Sequence, residues 1–361
     1  MTDLARVARL EDLVRERELD ALLITDLINV RWATGFTGSA GAALIGGGRD
    51  PIRVFVTDFR YLTQSADQVP DFHREIARSD LLAGIAATLP DRPLRLGFDD
   101  VNMSVKAHAH LAELVGPEVS LLEAGGLVEE LRAVKDAGEI EKIRAAAQLA
   151  DAALEVVLAR GLVGRTEREV ALDIEIEQRR LGAEGASFPP IVAFGAHGAL
   201  PHASPRDEVI PAGTLVVIDW GCQLDGYCSD CTRTYATGDL DVRDRAVYDL
   251  VLEAQEAALA AVMPGPTGRA VDAVAREIIE AAGHGEHFGH GLGHGVGLDI
   301  HEGPRLSTTG ETALQAGMVV TVEPGVYVPG AVGTRIEDLV VVTEDGHEVL
   351  STLPKTLTVV D

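Results

Sequence analysis

The sequence predicts an α+β protein of two domains, a smaller N-terminal α/β domain over residues 1–128 and a C-terminal domain over residues 129–361. Three observations support this prediction. The 361 residues exceed a typical single domain of about 100–150 residues. Short apolar runs alternate with helical stretches before residue 125, as in α/β domains. A polar connection over residues 129–138 then leads into long helices and strands that carry Gly and Pro turns.

The N-terminal region contains three apolar runs of strand length, Ala21–Ile24, Ala42–Ile45 and Ile52–Val56. Each run is bounded by Asp, Gly or Pro, which favour turns. A helical stretch over Leu4–Glu18 precedes them. Together these elements indicate a compact domain with a mixed sheet.

The C-terminal region combines helices and strands. A long amphipathic helix is predicted over residues 139–159, and Thr166 with Glu169 forms a capping box that opens a second helix. Two further helices are predicted over about residues 241–262 and 268–282, among strands that bracket them. This arrangement favours a domain made of two α+β halves.

The composition excludes several classes of partner. Lys and Arg total 31 against 57 Asp and Glu, a net charge of -26, so neither nucleic acid nor an anionic membrane surface would attract the chain. No stretch approaches the roughly 20 apolar residues of a membrane span. Residues 1–9 are amphipathic and lack the apolar core of a signal peptide, so the expected location is the cytoplasm.

Two acidic residues are predicted to face each other across a first hairpin. Asp219 ends the apolar strand over residues 215–218, and Asp230 lies in the next strand-like segment. A turn centred between Leu224 and Asp225 would place the two carboxylates directly opposite, with Cβ atoms about 5 Å apart. Such a pair repels unless a cation lies between its members.

A second hairpin repeats this pattern. Glu323 follows the apolar strand over residues 318–322, and Glu337 follows residues 333–336. The midpoint is Gly330, just after Pro329, where a turn is expected. Any one acid at a strand end is usually a solvated or capping residue, but two facing pairs in one domain indicate a metal site.

A glycine-rich segment between the two hairpins contains His290, His294 and His301. The glycine content favours a loop or irregular strand over a helix. Alone, this segment could equally cradle a phosphate. Four carboxylates with an imidazole suit two divalent ions such as manganese, and the sulfur-rich pattern of structural zinc is absent.

At these residues the sequence resembles the creatinase/methionine aminopeptidase-like metallopeptidases, which have the pita-bread fold. The resemblance covers nearly the whole chain and implies a pita-bread C-terminal domain behind a creatinase-like N-terminal domain. It implies two divalent metal ions per subunit, manganese first and cobalt or zinc as alternatives. The segments that carry it are residues 219–221, 229–234, 293–297, 301–305, 321–325 and 335–338. The metal ligands that it implies are Asp219, Asp230, His294, Glu323 and Glu337.

Residues 29–39 and 57–61 are similar to short bacterial aminopeptidase P and Xaa-Pro dipeptidase sequences. A methionine aminopeptidase normally lacks this N-terminal domain, and a creatinase would lack this metal set. One segment departs from the common pattern, because Phe194 and His197 replace a frequent serine and asparagine, which puts the shape of the substrate pocket in question. The resemblance implies catalytic roles for His202, His301, Glu323 and Arg335, and substrate contacts by His290 and Arg305.

The resemblance implies an Xaa-Pro aminopeptidase that cleaves short peptides before a proline in second position. The alternative is an Xaa-Pro dipeptidase, in which Arg305, Arg31 or Arg60 would hold the proline carboxylate. A non-catalytic peptide-binding module would require lost ligands, and none of the five is missing. A phosphate-binding enzyme is disfavoured by the net charge and by the absence of a Walker lysine. The family is often dimeric, so a homodimer is expected.

Overall fold

The computed structural model describes residues 3–47 and 51–361. The chain divides into two compact units, Met1–Arg132 and Ala133–Asp361. The division falls within a few residues of the predicted domain boundary. Met1 and Thr2, which begin the amphipathic N-terminal stretch, lie outside the described residues.

The first unit is a six-stranded mixed sheet with helices. The strands are β1 (Ala21–Ile24), β2 (Gly41–Gly46), β3 (Ile52–Asp58), β4 (His73–Ala77), β5 (Leu94–Phe98) and β6 (Val119–Glu123). The helices are α1 (Leu4–Glu16), α2 (Leu27–Thr34), α3 (Leu62–Gln68), α4 (Leu81–Thr88), α5 (Val105–Val115) and α6 (Leu127–Arg132). The strand order is β4-β3-β2-β1-β5-β6; the β1–β5, β5–β6 and β3–β4 pairs are parallel, and β2 is antiparallel to both β1 and β3. The predicted mixed sheet is therefore confirmed.

The second unit contains the remaining described elements. Its helices are α7 (Ala137–Leu158), α8 (Glu167–Leu181), α9 (Val242–Ala260) and α10 (Gly268–Ala281). Its strands are β7 (Gly185–Ala186), β8 (Ile191–Phe194), β9 (Leu215–Trp220), β10 (Cys222–Leu224), β11 (Tyr227–Cys228), β12 (Cys231–Ala236), β13 (Gly293–Gly295), β14 (Glu302–Leu306), β15 (Val319–Val322), β16 (Gly325–Val328), β17 (Val332–Arg335), β18 (Asp338–Val342) and β19 (His347–Val349).

Two apolar cores form in the second unit, each between a helix pair and an antiparallel sheet. In the first, α7 and α8 pack against the sheet β12-β9-β8, with Ile174 and Trp220 buried between them. In the second, α9 and α10 pack against the sheet β14-β13-β15-β18-β19, with Val251, Val271 and Val320 buried. The predicted capping box of Thr166 and Glu169 is present at the start of α8. Each helix therefore buries one apolar face against a sheet that carries site residues.

The predicted register of the second acidic hairpin is confirmed. Val322 pairs with Asp338 in the β15–β18 ladder, and Gly325 pairs with Arg335 in the β16–β17 ladder. The two ladders share one register, with Gly330 at the turn in a left-handed conformation (φ 71°). Glu323 and Glu337 occupy the gap between the ladders and therefore face each other.

The predicted register of the first hairpin is wrong by one position at the turn. Asp219 pairs with Thr232, not with Asp230. The turn residues are Asp225 and Gly226, both at positive φ (49° and 81°), which matches the two-residue turn that follows the twist of antiparallel strands. Asp230 consequently lies just before β12 begins and is not directly opposite Asp219. The carboxylate oxygens of the two residues still come within 4.8 Å of one another.

Among the helices of residues 3–47 and 51–361, none combines the length and apolar character that crossing a bilayer requires.

Replacing Gly333 with alanine should destabilise the second unit, because a Cβ there would lie 1.8 Å from the carbonyl oxygen of Gly198. That contact packs β17 against the 3-10 turn Gly195–Ala199. We expect a loss of about 1–3 kcal/mol in the free energy of unfolding, measured by urea denaturation. Gly346→Ala is the control, because its Cβ would meet no described atom closer than 4.0 Å. Equal stability of Gly333→Ala and wild type would contradict the close approach.

Candidate metal centre

The five predicted metal ligands converge in the second unit. Asp219 lies in β9, Asp230 lies between β11 and β12, and His294 lies in β13. Glu323 and Glu337 occupy the gap between the two ladders described above. All five are buried except Glu323, which is half-buried. Both helix–sheet cores therefore contribute ligands to one centre.

The ligand atoms form a continuous cluster. Carboxylate oxygens of Asp219, Asp230 and Glu337 all lie within 4.8 Å of one another. The Nε2 atom of His294 lies 3.5 Å from Asp230 Oδ2 and 3.4 Å from Glu323 Oε1. These separations suit atoms that share a bound cation, because unbridged carboxylates at such distances repel each other.

Two buried oxygens in this cluster have no hydrogen-bond partner among the described residues, Asp219 Oδ1 and Glu337 Oε1. The second oxygen of each carboxylate is satisfied: Asp219 Oδ2 accepts from Arg335 at 2.6 Å, and Glu337 Oε2 accepts from Thr232 at 2.7 Å. A buried oxygen without a partner costs free energy unless a cation binds it. The residues present therefore fit a divalent metal site.

The side chain of His294 is held in the orientation of a metal ligand. Its Nδ1 atom lies 3.0 Å from the carbonyl oxygen of Gly295 and donates to it. Burial lowers the pKa of His294 to about 4, so the ring is neutral. The lone pair of Nε2 then faces the carboxylates of Asp230 and Glu323, which is repulsive without an intervening cation.

The acidic residues themselves show the strain of this crowding. Burial raises the pKa of Asp230 well above its usual range, and the charges of Glu337 and Asp219 raise it further. Burial likewise raises the pKa of Glu337, with added repulsion from Glu323 and Asp219. A cation among these oxygens would restore the ionised form.

Arg335 connects the centre to a chain of hydrogen bonds. In addition to Asp219, its guanidinium donates to Tyr327 Oη at 2.8 Å and to Thr232 Oγ1 at 3.0 Å. Tyr327 Oη in turn lies 2.9 Å from His290 Nε2. Tyr327 was not among the predicted site residues, although it lies two residues after Gly325 in the same strand. Arg335, for which the resemblance implies a catalytic role, is thus hydrogen-bonded to the predicted metal ligand Asp219.

A cavity of about 680 Å³ opens beside the centre, and all its lining residues belong to the second unit. One wall is apolar and includes Phe188, Pro189, Pro190 and Ile191. The predicted site residues that line it are His202, Asp219, Asp230, His290, His294, His301, Arg305, Glu323 and Arg335. The structure therefore brings every predicted catalytic and substrate-binding residue to one cavity, beside an apolar wall.

His301 and Arg305 lie at the exposed side of the cavity. The ring of His301 is perpendicular to that of His294, with centroids 4.4 Å apart. Burial lowers the pKa of His301 below its usual range. The neighbouring Glu302 forms a buried ion pair with Lys135 at 2.6 Å, which fixes the backbone that carries His301.

The two residues that depart from the common pattern lie outside the cavity lining. The His197 side chain is buried, and its Nδ1 atom lies 2.9 Å from Glu167 Oε2. The guanidinium carbon of Arg206 lies over the ring of Phe194, 5.7 Å from the ring centroid. Neither residue lines the cavity, and both contact groups that hold a loop.

Two family models match this chain, one over each unit. The model of metallopeptidase family M24 matches residues 141–344, and that of the creatinase/prolidase N-terminal domain matches residues 6–134. The Xaa-Pro dipeptidase of Pyrococcus furiosus is 37% identical and aligns over 95% of this chain and 97% of its own.

Solved structures show the same architecture. An Xaa-Pro dipeptidase from Bacillus anthracis superposes with a TM-score of 0.94 at 38% identity, covering 99% of both chains. An X-Pro aminopeptidase from Thermotoga maritima superposes with a TM-score of 0.88 at 36% identity, covering 97% of this chain and 100% of its own. The pita-bread fold and the family resemblance are thereby confirmed. The chain belongs to metallopeptidase family M24, and it is a hydrolase of peptide bonds with a creatinase/prolidase N-terminal domain.

Proposed function

We propose that this protein is a metal-dependent Xaa-Pro dipeptidase. The observation that carries the proposal is Arg305, which lines the metal-ligand cavity and whose guanidinium has no hydrogen bond or ion pair to the described residues. A guanidinium at this place can bind the free carboxylate of a C-terminal proline in a bidentate manner. In a dipeptide, that carboxylate lies one residue from the scissile bond.

Relatives support this choice over the aminopeptidase first predicted. The relatives from Pyrococcus furiosus and Bacillus anthracis are named Xaa-Pro dipeptidases. The N-terminal arginines are a weaker source of carboxylate recognition. Arg60 pairs with Asp58 at 2.7 Å, so its charge is already compensated within the first unit. Arg305 is therefore the best candidate to set the length of the substrate.

Two divalent ions, manganese first, suit the centre because its donors are four carboxylates and one imidazole. Asp219, Asp230, His294, Glu323 and Glu337 are the residues that would hold these ions. When bound, such ions lower the pKa of a water molecule so that it attacks near neutral pH. Asp219 and Glu337 each contribute a buried oxygen that no described residue satisfies.

The remaining chemistry follows from side chains of the cavity. Glu323, held by a hydrogen bond from Thr321 Oγ1 at 2.9 Å, accepts the proton of the attacking water and passes it to the departing proline nitrogen. His301 donates a hydrogen bond to the oxyanion that develops on the scissile carbonyl, and His202 holds the substrate.

An Xaa-Pro aminopeptidase is the second candidate, because the Thermotoga maritima relative is named an X-Pro aminopeptidase. The two activities share the metal centre and differ in the length of the peptide accepted. A longer peptide places an amide, rather than a carboxylate, after the proline ring. The contribution of Arg305 therefore distinguishes the two.

Glu323→Gln should lower kcat on an Xaa-Pro dipeptide by about 10²–10⁴-fold, because the amide cannot accept the proton of the attacking water. The measurement is proline release by the manganese-supplemented enzyme. Glu344→Gln, an exposed change in the same unit, should leave the rate unchanged. Hydrolysis at the wild-type rate by Glu323→Gln would refute the role assigned to this carboxylate.

Arg305→Gln should lower kcat/KM for an Xaa-Pro dipeptide by about 10–100-fold, the usual effect of losing a hydrogen bond to a charged group. The same change should barely affect an Xaa-Pro-Xaa tripeptide, which presents no carboxylate at this place. Steady-state kinetics on matched peptides provide the comparison. Arg245→Gln, on the exposed face of α9, is the control. Equal losses on both peptides would rule out carboxylate recognition by Arg305.

Asp230→Asn should stabilise the metal-free protein at about pH 8 and lose that advantage toward about pH 5. The raised pKa of Asp230 means that its contribution to stability is present while the carboxyl group is protonated and is lost as pH rises through that pKa. Asparagine stays neutral throughout. The melting temperature of chelator-treated protein is measured at both pH values, with the exposed Asp239→Asn as control. If the melting temperature of Asp230→Asn were below that of wild type at both pH values, the crowding of negative charges around Asp230 would be contradicted.

Manganese addition completes this test. Wild type should gain melting temperature on adding manganese, since ions bind only the folded carboxylate cluster. Asp230→Asn should gain little, because one carboxylate of the cluster that would hold the ions is missing. An equal gain in both proteins would place the manganese elsewhere.

A further inference from the structure

The loop between Phe194 and Arg206 carries His202, a proposed catalytic residue whose side chain is positioned only by the loop backbone. This loop contributes Pro201, His202 and Ala203 to the cavity wall. The imidazole of His202 is exposed and forms no hydrogen bond to the described residues. Its position therefore depends on how the loop backbone is fixed.

Both ends of this loop are bonded to a single buried carboxylate. The side chain of Glu167, at the first position of α8, is fully buried. Its Oε1 accepts from the backbone N–H of Phe194 at 3.1 Å, and its Oε2 accepts from the backbone N–H of Arg206 at 2.9 Å. One side chain thus closes a loop of about a dozen residues, which lowers the conformational freedom of everything between.

Two side chains of the loop complete the same cluster. His197 Nδ1 lies 3.0 Å and 2.9 Å from the two carboxylate oxygens of Glu167. The guanidinium of Arg206 lies 3.2 Å from Oε2 and 3.3 Å from Oε1. The Phe194 ring stacks under the same guanidinium. The carboxylate of Glu167 is therefore fully satisfied, and all four of its partner groups belong to the loop.

A third anchor holds the loop next to His202. The carbonyl oxygen of Pro201 accepts from Arg335 Nη1 at 3.2 Å, and Arg335 also binds the metal ligand Asp219. A tight turn lies between the anchors, with the N–H of Ala203 donating to the oxygen of Leu200 at 3.1 Å. His202 is thus set at a fixed place relative to the metal centre by Glu167 on one side and Arg335 on the other.

We propose that Glu167 and His197 are positioning residues that fix this loop so that His202 meets the substrate. The proposal rests on the function proposed above, since it assigns His202 a place in the dipeptidase reaction. Neither residue lines the cavity, so they act through the loop. A displacement of about 1 Å at a substrate-holding group can cost about 10²-fold in rate.

The first experiment is a double-mutant comparison on the manganese-loaded enzyme. Glu167→Gln, which keeps one acceptor but loses the charge, should lower kcat/KM on an Xaa-Pro dipeptide by about 10–100-fold. In a His202→Ala background the same change should cost less than about twofold, because the group it positions is gone. Glu175→Gln, on the same helix and without a hydrogen bond or ion pair to the described residues, is the matched control.

Hydrogen exchange gives a readout that does not depend on activity. In Glu167→Gln, the amides of Phe194 and Arg206 should exchange faster than in wild type, while those of α8 stay protected. His197 provides a second variant pair if Glu167→Gln does not fold. His197→Ala should reproduce the kinetic loss, and His197→Asn, which keeps a donor toward Glu167, should restore most of the activity.

Three outcomes would overturn the proposal: an equal loss from Glu167→Gln in the wild-type and His202→Ala backgrounds, unchanged exchange at Phe194 and Arg206, or a His197→Ala variant as active as wild type. A wild-type enzyme that does not cleave Xaa-Pro dipeptides would instead refute the proposed function. Faster exchange in that case would still show that Glu167 holds both ends of the loop, but without the catalytic role assigned to that contact.

Discussion

The crowding of four carboxylates and a neutral imidazole within the second unit is the constraint on which the rest of the structure depends. Arg335 pairs with Asp219 and compensates one negative charge, which leaves three among the clustered acids. Buried like charges at these distances are unfavourable by several kcal/mol unless they are neutralised. Binding of divalent cations resolves the conflict, and the oxygens of Asp219 and Glu337 that lack a described partner are the ones that such cations would take.

The fold meets this constraint by bringing two helix–sheet cores to one place. Strand β9 of one core supplies Asp219, and the β15–β18 and β16–β17 ladders of the other flank Glu323 and Glu337. Because each sheet is packed against its helices, the ligands cannot relax away from each other. The same packing fixes the cavity beside them, where His301 and Arg305 lie on the exposed side. Catalysis and selection of the substrate thus follow from one packing arrangement.

Much of the site was predictable where local rules apply. The register of Glu323 and Glu337 follows from apolar strands on both sides of a glycine turn, and the structure confirms it. The register of Asp219 and Asp230 was predicted wrongly because the turn was centred one residue too early. Asp225-Gly226 is itself a strong signal for a two-residue turn, so the correct register was available in the sequence.

Other parts of the site were beyond local reasoning. His202 lies in an irregular segment and Arg305 lies in strand β14. Neither periodicity nor spacing shows that these two residues reach one cavity, and only the family resemblance suggested it. Tyr327 was overlooked because a tyrosine in an apolar strand ordinarily indicates only core packing. Glu167 was overlooked because its partners are distant in sequence. Glu167 is the first residue of α8, where an acidic side chain ordinarily interacts with the helix dipole. Its hydrogen bonds to the loop that ends at Arg206 are visible only in the folded structure.

The most direct test of the central claim is anomalous diffraction from crystals of the protein grown with manganese. We predict two anomalous peaks per chain, about 3.5–4 Å apart, bounded by Asp219, Asp230, His294, Glu323 and Glu337. Peaks confined to the protein surface, or an ordered centre in which water alone occupies the space among these carboxylates, would contradict the account.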